Sequence, residues 1–233
     1  MTNMTCMTRL TYVFYILHLL MIKTIFITGI GTGIGKTVVS AIIAEALEAD
    51  YWKPVQAGYE NITDSEWMQS ILANTKSKVH SEIYKLKLSA SPHLAAQNEN
   101  VEISLEKIYS SYCQLLTSDR QLIIEGAGGL LVPLNEKEFV IDLIKRLNAR
   151  VILVSRNYLG SINHSLLTAQ VCRQKNIRVL GWVFNDQYMD YEVDIVRWSG
   201  YPKLGAIPTL DKIDKETIYN EAKKIKRNLL QVL

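Results

Sequence analysis

A glycine-rich segment between an apolar run and an amphipathic run most constrains the fold of this chain. The segment from Thr28 to Thr37 reads TGIGTGIGKT. Residues 24–27 before it, of which the last three are apolar, predict a strand, and residues 38–47 after it predict a helix. A Gly-Lys-Thr ending at a strand-to-helix junction is typical of loops that hold nucleotide phosphates with backbone N–H groups.

The residue types in this loop suit phosphate and metal binding. Lys36 can reach the terminal phosphates of a nucleotide, and the Thr37 hydroxyl can bind Mg²⁺. Four glycines allow a close approach of backbone to ligand and positive φ angles. They are Gly29, Gly31, Gly33 and Gly35. Five residues separate Gly29 from Gly35, one more than usual, and the glycine spacing does not match a dinucleotide-binding loop. The loop therefore favours ATP-type binding over NAD, with a plain glycine-rich turn as the alternative.

Composition and charge narrow the range of partners. The chain has 233 residues, a net charge of +3 and three scattered cysteines, Cys6, Cys113 and Cys172. So balanced a charge argues against nucleic acid or an anionic membrane as a partner. The cysteines form no Cys-x-x-Cys or Cys/His group, so neither a zinc site nor a disulfide framework is indicated. A reducing cytoplasm is the simplest setting.

The first twenty residues differ from the rest of the chain. Residues 10–22 are almost wholly apolar, but this stretch is short for a membrane span and no small-residue cleavage site follows it. A core strand is predicted directly afterwards. We therefore expect Met21 to be the functional start and residues 1–20 to be a non-native or unstructured extension. An ordered extra segment and a membrane contact are the alternatives.

From Met21 onward, strand-like and helix-like segments alternate. The predicted strands are 24–28, 51–52, 122–124, 151–154, 179–184 and 204–207. The predicted helices are 38–47, 64–72, 104–116, 140–147 and 162–174. Several of the strands are apolar throughout, as strands of a parallel sheet covered on both faces are. We predict one α/β domain over residues 21–233, a doubly wound, mostly parallel sheet with helices on both faces, of the P-loop NTPase type.

Ligand sites in such sheets lie at the carboxyl ends of the strands, and polar residues follow each predicted strand here. Glu125 ends one strand, where nucleotide-hydrolysing folds hold Mg²⁺ with a carboxylate, usually Asp. A carboxylate turned to solvent is the alternative. Asp64 is a second candidate metal ligand, but Asp64 or Thr63 could simply cap the helix that follows.

Two more side chains are weaker candidates when taken alone. Lys53 precedes Pro54 at the end of a strand, where a second cation would offset charge during phosphoryl transfer. The amide of Asn185 has the donor and the acceptor that pair with adenine N6 and N7. Without further information, each of these residues could equally be an ordinary surface or loop residue. Ser91-Pro92-His93 is compatible with a helix start.

Taken together, these segments resemble the dethiobiotin synthetase family. They follow one another in order through about residues 22–210. The matching segments are TGIGTGIGKT from Thr28, KPVQAG from Lys53, TDS from Thr63, SPH from Ser91, EGAGG from Glu125, GSINH from Gly160, LTAQ from Leu167, GWV from Gly181, ND from Asn185, LG from Leu204 and IP from Ile207. The long glycine spacing is the family's own. The chain departs from the family at Gly33, where an acidic residue is frequent, and at Ala57, where a hydroxyl residue is frequent.

The resemblance implies an ATP-dependent ring closure in biotin synthesis. In that reaction 7,8-diaminopelargonate takes up CO₂ as a carbamate, the carbamate attacks the γ-phosphate of ATP, and the second amine closes the urea ring of dethiobiotin. Phosphate and ADP are released. The implied metal is Mg²⁺, with Thr37, Asp64 and Glu125 as its ligands. The implied catalytic residues are Lys53, Lys36 and Thr32.

Binding residues are implied in the same way. Those for the nucleotide and its metal are Gly33, Ile34, Gly35, Lys36, Thr37, Val38, Asp64, Glu125, Gly126, Ala127, Gly128, Asn185, Asp186, Pro208, Thr209 and Leu210. Those for the substrate are Ala57, Ser161, Ile162 and Asn163. The family resemblance implies a homodimer in which the helix beginning near Ser161 comes from the other subunit. The N-terminus of that helix suits the distant carboxylate of the substrate.

A partitioning or site-selecting ATPase is the main alternative function. Such proteins usually carry a lysine early in the loop, where this chain has Gly31. Basic residues 223–227 would suit membrane contact. However, an apolar stripe in the same segment favours a final helix docked on the domain. The stripe consists of Ile218, Ala222, Ile225 and Leu229. A nucleotide-binding subunit without catalysis is a third possibility.

Overall fold

The computed structural model describes residues 24–116, 120–186 and 189–233. The strands are β1 (Thr24–Gly29), β2 (Asp50–Trp52), β3 (Val55–Ala57), β4 (Val79–His80), β5 (Tyr84–Leu86), β6 (Leu122–Glu125), β7 (Arg150–Arg156), β8 (Val179–Asn185) and β9 (Lys203–Ile207). The helices are α1 (Lys36–Leu47), α2 (Asp64–Ile71), α3 (Pro92–Asn98), α4 (Leu105–Leu115), α5 (Val140–Arg146), α6 (Ser161–Gln174), α7 (Tyr191–Ser199) and α8 (Lys215–Val232).

Seven of these strands form one sheet in the order β4-β2-β6-β1-β7-β8-β9. Every pairing in this sheet is parallel. β1 is central, with β6 on one side and β7 on the other. The strands that follow it along the chain are therefore added on both sides of it. A crevice for ligands forms outside the carboxyl end of such a switch strand. The predicted doubly wound α/β fold is confirmed.

Both faces of the sheet are covered, which explains the continuous apolar strands. Successive side chains of a strand point to opposite faces. Ile25 and Ile27 pack on the face that α1 and α8 cover, whereas Phe26 packs on the face that α4 and α5 cover. All three side chains are fully buried. A strand that is buried on both faces needs apolar residues at every position.

Three features of the fold differ from the sequence prediction, the first being β4, a two-residue edge strand that no pattern indicated. Helix α7 was not predicted, because only Ile195 and Ser199 of its residues are buried and its apolar stripe is therefore weak. The small sheet of β3 and β5 was also not predicted. Its strands have three residues each, which is too short for a period-two pattern to stand out.

The C-terminal helix α8 docks on the domain, as its apolar stripe predicted. Ile218, Ala222, Ile225 and Leu229 are buried on the same face of the sheet as α1. The helix approaches β9 so closely that a Cβ added to Gly205 would lie 2.6 Å from Ile225 Cγ2.

The N-terminal interpretation concerns residues outside the described ranges. Residues 1–20 as an extension, and Met21 as the start, therefore stay predictions. Within the ranges that the structure covers, no helix combines the length and apolarity needed to cross a bilayer.

Two loop glycines should respond differently to alanine. A Cβ on Gly29 would lie 2.1 Å from the backbone oxygen of Val154, whereas a Cβ on Gly31 would meet no described atom within 4 Å. We expect Gly29→Ala to lower the free energy of unfolding by about 1–3 kcal/mol, because backbone must move to admit the methyl group. Gly31→Ala should change it by less than about 0.5 kcal/mol. Urea denaturation measures both, and equal stability of the two variants would contradict this packing.

Candidate active site

The glycine-rich loop joins the end of β1 to α1 at the crevice. Gly33 and Gly35 have φ angles of 70° and 85°, a region that favours glycine. Lys36 opens α1, and its ammonium donates a hydrogen bond to the carbonyl of Gly31 at 2.7 Å. Burial lowers the pKa of Lys36 to about 8, although the charge of Glu125 acts in the opposite direction.

Glu125 lies at the end of β6 and is only 1% exposed. Its Oε1 accepts hydrogen bonds from Thr37 Oγ1 and Lys53 Nζ, each at 2.9 Å. Its Oε2 accepts one from the Tyr51 hydroxyl at 2.9 Å. Burial alone would raise the pKa of Glu125, but the Lys53 charge and these hydrogen bonds outweigh it and hold the pKa below its usual value. The carboxylate is therefore ionised at neutral pH, and it does not face solvent.

Thr63, and not Asp64, caps the N-terminus of helix α2. Thr63 is the N-cap of α2, because its hydroxyl accepts a hydrogen bond from Glu66 N, and the Glu66 carboxylate accepts one from Thr63 N in return. This reciprocal pair is a capping box. Asp64 is thus the first helical residue, and its Oδ2 forms an ion pair with Lys53.

Lys53 lies between the two carboxylates of Asp64 and Glu125. Its side chain is 8% exposed. Burial alone would lower the pKa of Lys53, but the two negative charges outweigh it and raise the pKa above the usual value. The side chain is therefore a fixed ammonium group beside the end of the loop.

The larger cavity at the crevice has a volume of about 710 Å³. Most of the predicted catalytic and metal-binding side chains line it. The predicted residues on its wall are Thr32, Gly33, Gly35, Lys36, Thr37, Val38, Lys53, Ala57, Asp64, Glu125, Ala127 and Gly128. Gln56, Ser89 and Ser91 contribute further polar groups.

A smaller cavity of about 240 Å³ adjoins it, since Gly33, Gly35 and Val38 line both. Nine residues predicted for the nucleotide lie on its wall. They are Gly33, Ile34, Gly35, Val38, Asn185, Asp186, Pro208, Thr209 and Leu210. Thr209 Oγ1 donates to Asp186 Oδ1 at 2.9 Å, which joins the segments after β8 and β9. An apolar slot with a few polar groups suits a nucleobase.

Asn185 also supports the loop itself. Its Nδ2 donates to the backbone carbonyl of Ile34 at 2.6 Å. A Cβ on Gly35 would lie 2.3 Å from the same Nδ2. This bond does not decide the pairing with adenine, because Nδ2 carries a second N–H group. The bidentate pairing therefore stays a prediction.

Four predicted residues lie outside the two cavities. Gly126 packs against Phe26, whose Cε1 would lie 2.6 Å from an added Cβ. Ser161, Ile162 and Asn163 begin α6 and line neither cavity of the single chain. Their predicted roles are not tested by this structure.

Besides Gln56 and Ser89, sequence reasoning missed two more polar side chains at the site. Tyr51 is fully buried and donates to Glu125. Arg156 lines the smaller cavity, where its Nε donates to Asp186 Oδ2 at 2.5 Å. Tyr51 lies in β2, two residues before Lys53, and this closeness along the chain was the one available signal.

The atoms at the end of the loop fit Mg²⁺. Thr37 Oγ1 and Glu125 Oε1 are 2.9 Å apart, and Lys53 Nζ bonds both Glu125 Oε1 and Asp64 Oδ2. One or two carboxylates together with phosphate oxygens are the ligands typical of Mg²⁺ at nucleotide sites. Among the residues that the structure describes, no group of three or more His, Cys, Asp or Glu side chains could hold a metal. A metal here would therefore depend on the Thr37 hydroxyl and on the nucleotide.

Comparisons with known proteins identify relatives of this chain. The AAA domain family matches residues 23–217. The ATP-dependent dethiobiotin synthetase BioD of Cytophaga hutchinsonii is 50% identical over 204 residues, which cover 87% of this chain and 97% of that protein. The protein of the same name from Christiangramia forsetii is 40% identical over 217 residues, covering 90% and 99% respectively.

Solved structures share the fold at low identity. A ParA family ATPase from Chlorobium tepidum has a TM-score of 0.55 at 14% identity, covering 91% of each chain. The cell division ATPase MinD of Pyrococcus furiosus has a TM-score of 0.55 at 13% identity, covering 88% of this chain and 99% of that one. At such identity the likeness concerns the fold alone. The extensive sequence identity identifies the family: this chain belongs to the ATP-dependent dethiobiotin synthetases, ligases of biotin biosynthesis built on a P-loop fold.

Proposed function

We propose that this protein converts 7,8-diaminopelargonate, CO₂ and ATP into dethiobiotin, ADP and phosphate. The observation that carries the proposal is the convergence of two lysines and three oxygen-bearing side chains on one cavity. They are Lys36, Lys53, Thr37, Asp64 and Glu125. Such a set suits phosphoryl transfer between two negatively charged reactants. The smaller cavity beside it, apolar with a few polar groups, suits a nucleobase.

ATP would extend from the smaller cavity to the larger one. The glycines shared by the two cavities, Gly33 and Gly35, lie where the chain of phosphates would pass. Backbone N–H groups of the loop and of the first turn of α1 would donate to the phosphate oxygens. Lys36 would exchange its bond to Gly31 for one to the terminal phosphates, and Thr32 on the wall of the larger cavity would assist.

Thr37, Asp64 and Glu125 would hold Mg²⁺ beside the terminal phosphates. When bound, the cation would neutralise part of the negative charge on the phosphate oxygens. The three side chains come from α1, α2 and β6, and each already contacts another member of the group or Lys53. These contacts place the three oxygen-bearing side chains close together.

Lys53 would serve the second substrate. One amine of the diamine takes up CO₂ as a carbamate, whose oxygen attacks the γ-phosphorus and displaces ADP. The second amine then attacks the carbonyl carbon of the carbamic–phosphoric anhydride, phosphate leaves, and the cyclic urea closes. The carbamate and the γ-phosphate repel each other, so an ammonium group between them lowers the barrier to their approach.

The site is completed, in this proposal, by a second copy of the chain. The start of α6, with Ser161, Ile162 and Asn163, lies outside the cavities of one chain, as it would if it served the partner's site. The exposed apolar side chains of Leu167, Val193 and Trp198 on α6 and α7 support a homodimer. The scattered cysteines suit a cytoplasmic enzyme. The balanced charge of the chain, +3 overall, argues against nucleic acid or membrane as a partner.

One assay separates this function from a partitioning ATPase. The protein is incubated with the diamine, bicarbonate and Mg-ATP, and dethiobiotin and phosphate are measured by mass spectrometry and a phosphate assay. We expect phosphate release to depend on the diamine and to equal dethiobiotin formed. ATP hydrolysis that proceeds equally without the diamine and yields no dethiobiotin would overturn the proposal.

Removing any proposed metal ligand should abolish most turnover without unfolding the protein. The variants are Thr37→Val, Asp64→Asn and Glu125→Gln, assayed over a range of Mg²⁺ concentrations, with circular dichroism as the check on folding. Ser40→Ala is the matched control, because this buried hydroxyl on α1 has no hydrogen-bond partner among the described residues. Near-normal turnover by Thr37→Val would remove Thr37 from the metal set.

Substitution of Lys36 and substitution of Lys53 should have different effects on binding and turnover. Lys36→Gln should weaken ATP binding as well as turnover, because Lys36 belongs to the phosphate loop. Lys53→Gln should leave ATP binding within a few-fold, raise the requirement for the diamine and lower turnover by roughly 10²-fold or more, the usual scale for one preorganised charge contact. Lys53→Arg should not restore turnover, since a planar guanidinium cannot replace a compact ammonium.

Calorimetry with a non-hydrolysable ATP analogue, beside steady-state assays in the diamine, measures this division of labour. If Lys53→Gln abolished nucleotide binding and left diamine binding intact, the roles assigned to the two lysines would be wrong.

A further inference from the structure

Among the residues that the structure describes, Tyr51 is the tyrosine whose hydroxyl bonds a proposed metal ligand, and it is fully buried. No motif predicted it, and the proposed reaction assigns it no role. Its ring belongs to the apolar core on the α1 face, while its hydroxyl reaches the end of β6.

Sheet register explains how Tyr51 reaches Glu125. Tyr51 lies opposite Ile123 in the parallel pair of β2 and β6. Glu125 is two residues beyond Ile123, so it points to the same face and is the diagonal neighbour of Tyr51. Diagonal neighbours across paired strands are within reach of an aromatic side chain. The contact is therefore set by the backbone register of two neighbouring strands.

The two oxygens of Glu125 have separate partners. Oε2 accepts from Tyr51, whereas Oε1 accepts from Thr37 and Lys53, at the end of the phosphate loop. With Oε2 held by a buried hydroxyl, the carboxylate cannot rotate freely, and Oε1 stays directed towards Thr37. We infer that Tyr51 is a positioning residue, which holds Glu125 in the orientation that binds the divalent cation. The inference rests on the metal set of the proposed function.

The test compares two buried tyrosines whose hydroxyls form hydrogen bonds with different residues. Tyr51→Phe keeps the ring and removes the bond to Glu125. Tyr112→Phe is the matched control, because Tyr112 is 1% exposed and bonds Thr24 at 2.7 Å, at the opposite end of β1 from the loop. The affinity for Mn²⁺ is measured by electron paramagnetic resonance in the presence of a non-hydrolysable ATP analogue, and melting temperatures are recorded for each protein.

We expect Tyr51→Phe to weaken Mn²⁺ binding by about tenfold or more, the usual effect of losing a group that orients a metal ligand. The Mn²⁺ affinity of Tyr112→Phe should stay within twofold of that of the wild type, even if its melting temperature falls as far as that of Tyr51→Phe. In steady-state assays, Tyr51→Phe should need more Mg²⁺ and recover turnover when Mg²⁺ is in excess. Equal Mn²⁺ affinity of Tyr51→Phe and wild type would overturn this inference alone. Wild-type protein that binds no Mn²⁺ with the analogue would overturn the metal set as well.

A second measurement covers the case in which Tyr51→Phe does not fold. 3-Fluorotyrosine is introduced at position 51 or, as a control, at position 112, and the fluorine resonance is followed while Mg²⁺ is added to the complex with the ATP analogue. We expect the resonance at position 51 to shift and the one at position 112 to stay. An unchanged resonance at position 51 would contradict the inference.

Discussion

The buried carboxylate of Glu125 is the constraint on which the rest of the site depends. Removing a carboxylate from water costs several kcal/mol unless charges and hydrogen bonds replace its hydration. Here Lys53, Thr37 and Tyr51 supply that replacement. Because these three residues come from β2, the segment after it and α1, satisfying one carboxylate ties together the elements that form the cavity.

Strand order brings these partners together. The spatial order β2-β6-β1 places the end of β6 between the strand that leads to Lys53 and the strand that leads to the phosphate loop. Glu125 lies 88 residues from Thr37 and 72 from Lys53 along the chain, yet it bonds both. The crossover topology of a parallel sheet gathers residues from distant segments at one edge. The same geometry brings the segments after β8 and β9 to the smaller cavity.

Charge balance is the second property of this site. Two ammonium groups, Lys36 and Lys53, face two carboxylates, Asp64 and Glu125. Lys53 has its pKa raised by the carboxylates, while burial lowers that of Lys36 to about 8. Lys36 bonds a neutral carbonyl, that of Gly31. Lys53 instead pairs with both carboxylates, which hold its ammonium group in place.

Much of the nucleotide site could be predicted from local sequence. Strand, glycine loop and helix are contiguous, so the phosphate loop is visible locally, whereas the residues after β8 and β9 were assigned to the nucleotide through the family resemblance. Other parts could not be predicted. Whether Thr63 or Asp64 capped α2 depended on a reciprocal bond with Glu66, and helix α7 carries too few buried residues to be visible as a pattern. The use of Asn185 on Ile34, across 151 residues, had no local signal at all.

By itself, the sequence determined the phosphate loop, the parallel sheet and the family, because each depends on residue types at short spacing or on extended identity. Only the tertiary structure decided which oxygen of Glu125 faces the loop, that Tyr51 holds the other, and that Lys53 bridges two carboxylates. These contacts depend on the register between β2 and β6 and on the docking of α1 and α2. Register is a relation between distant segments, so no window along the chain contains it.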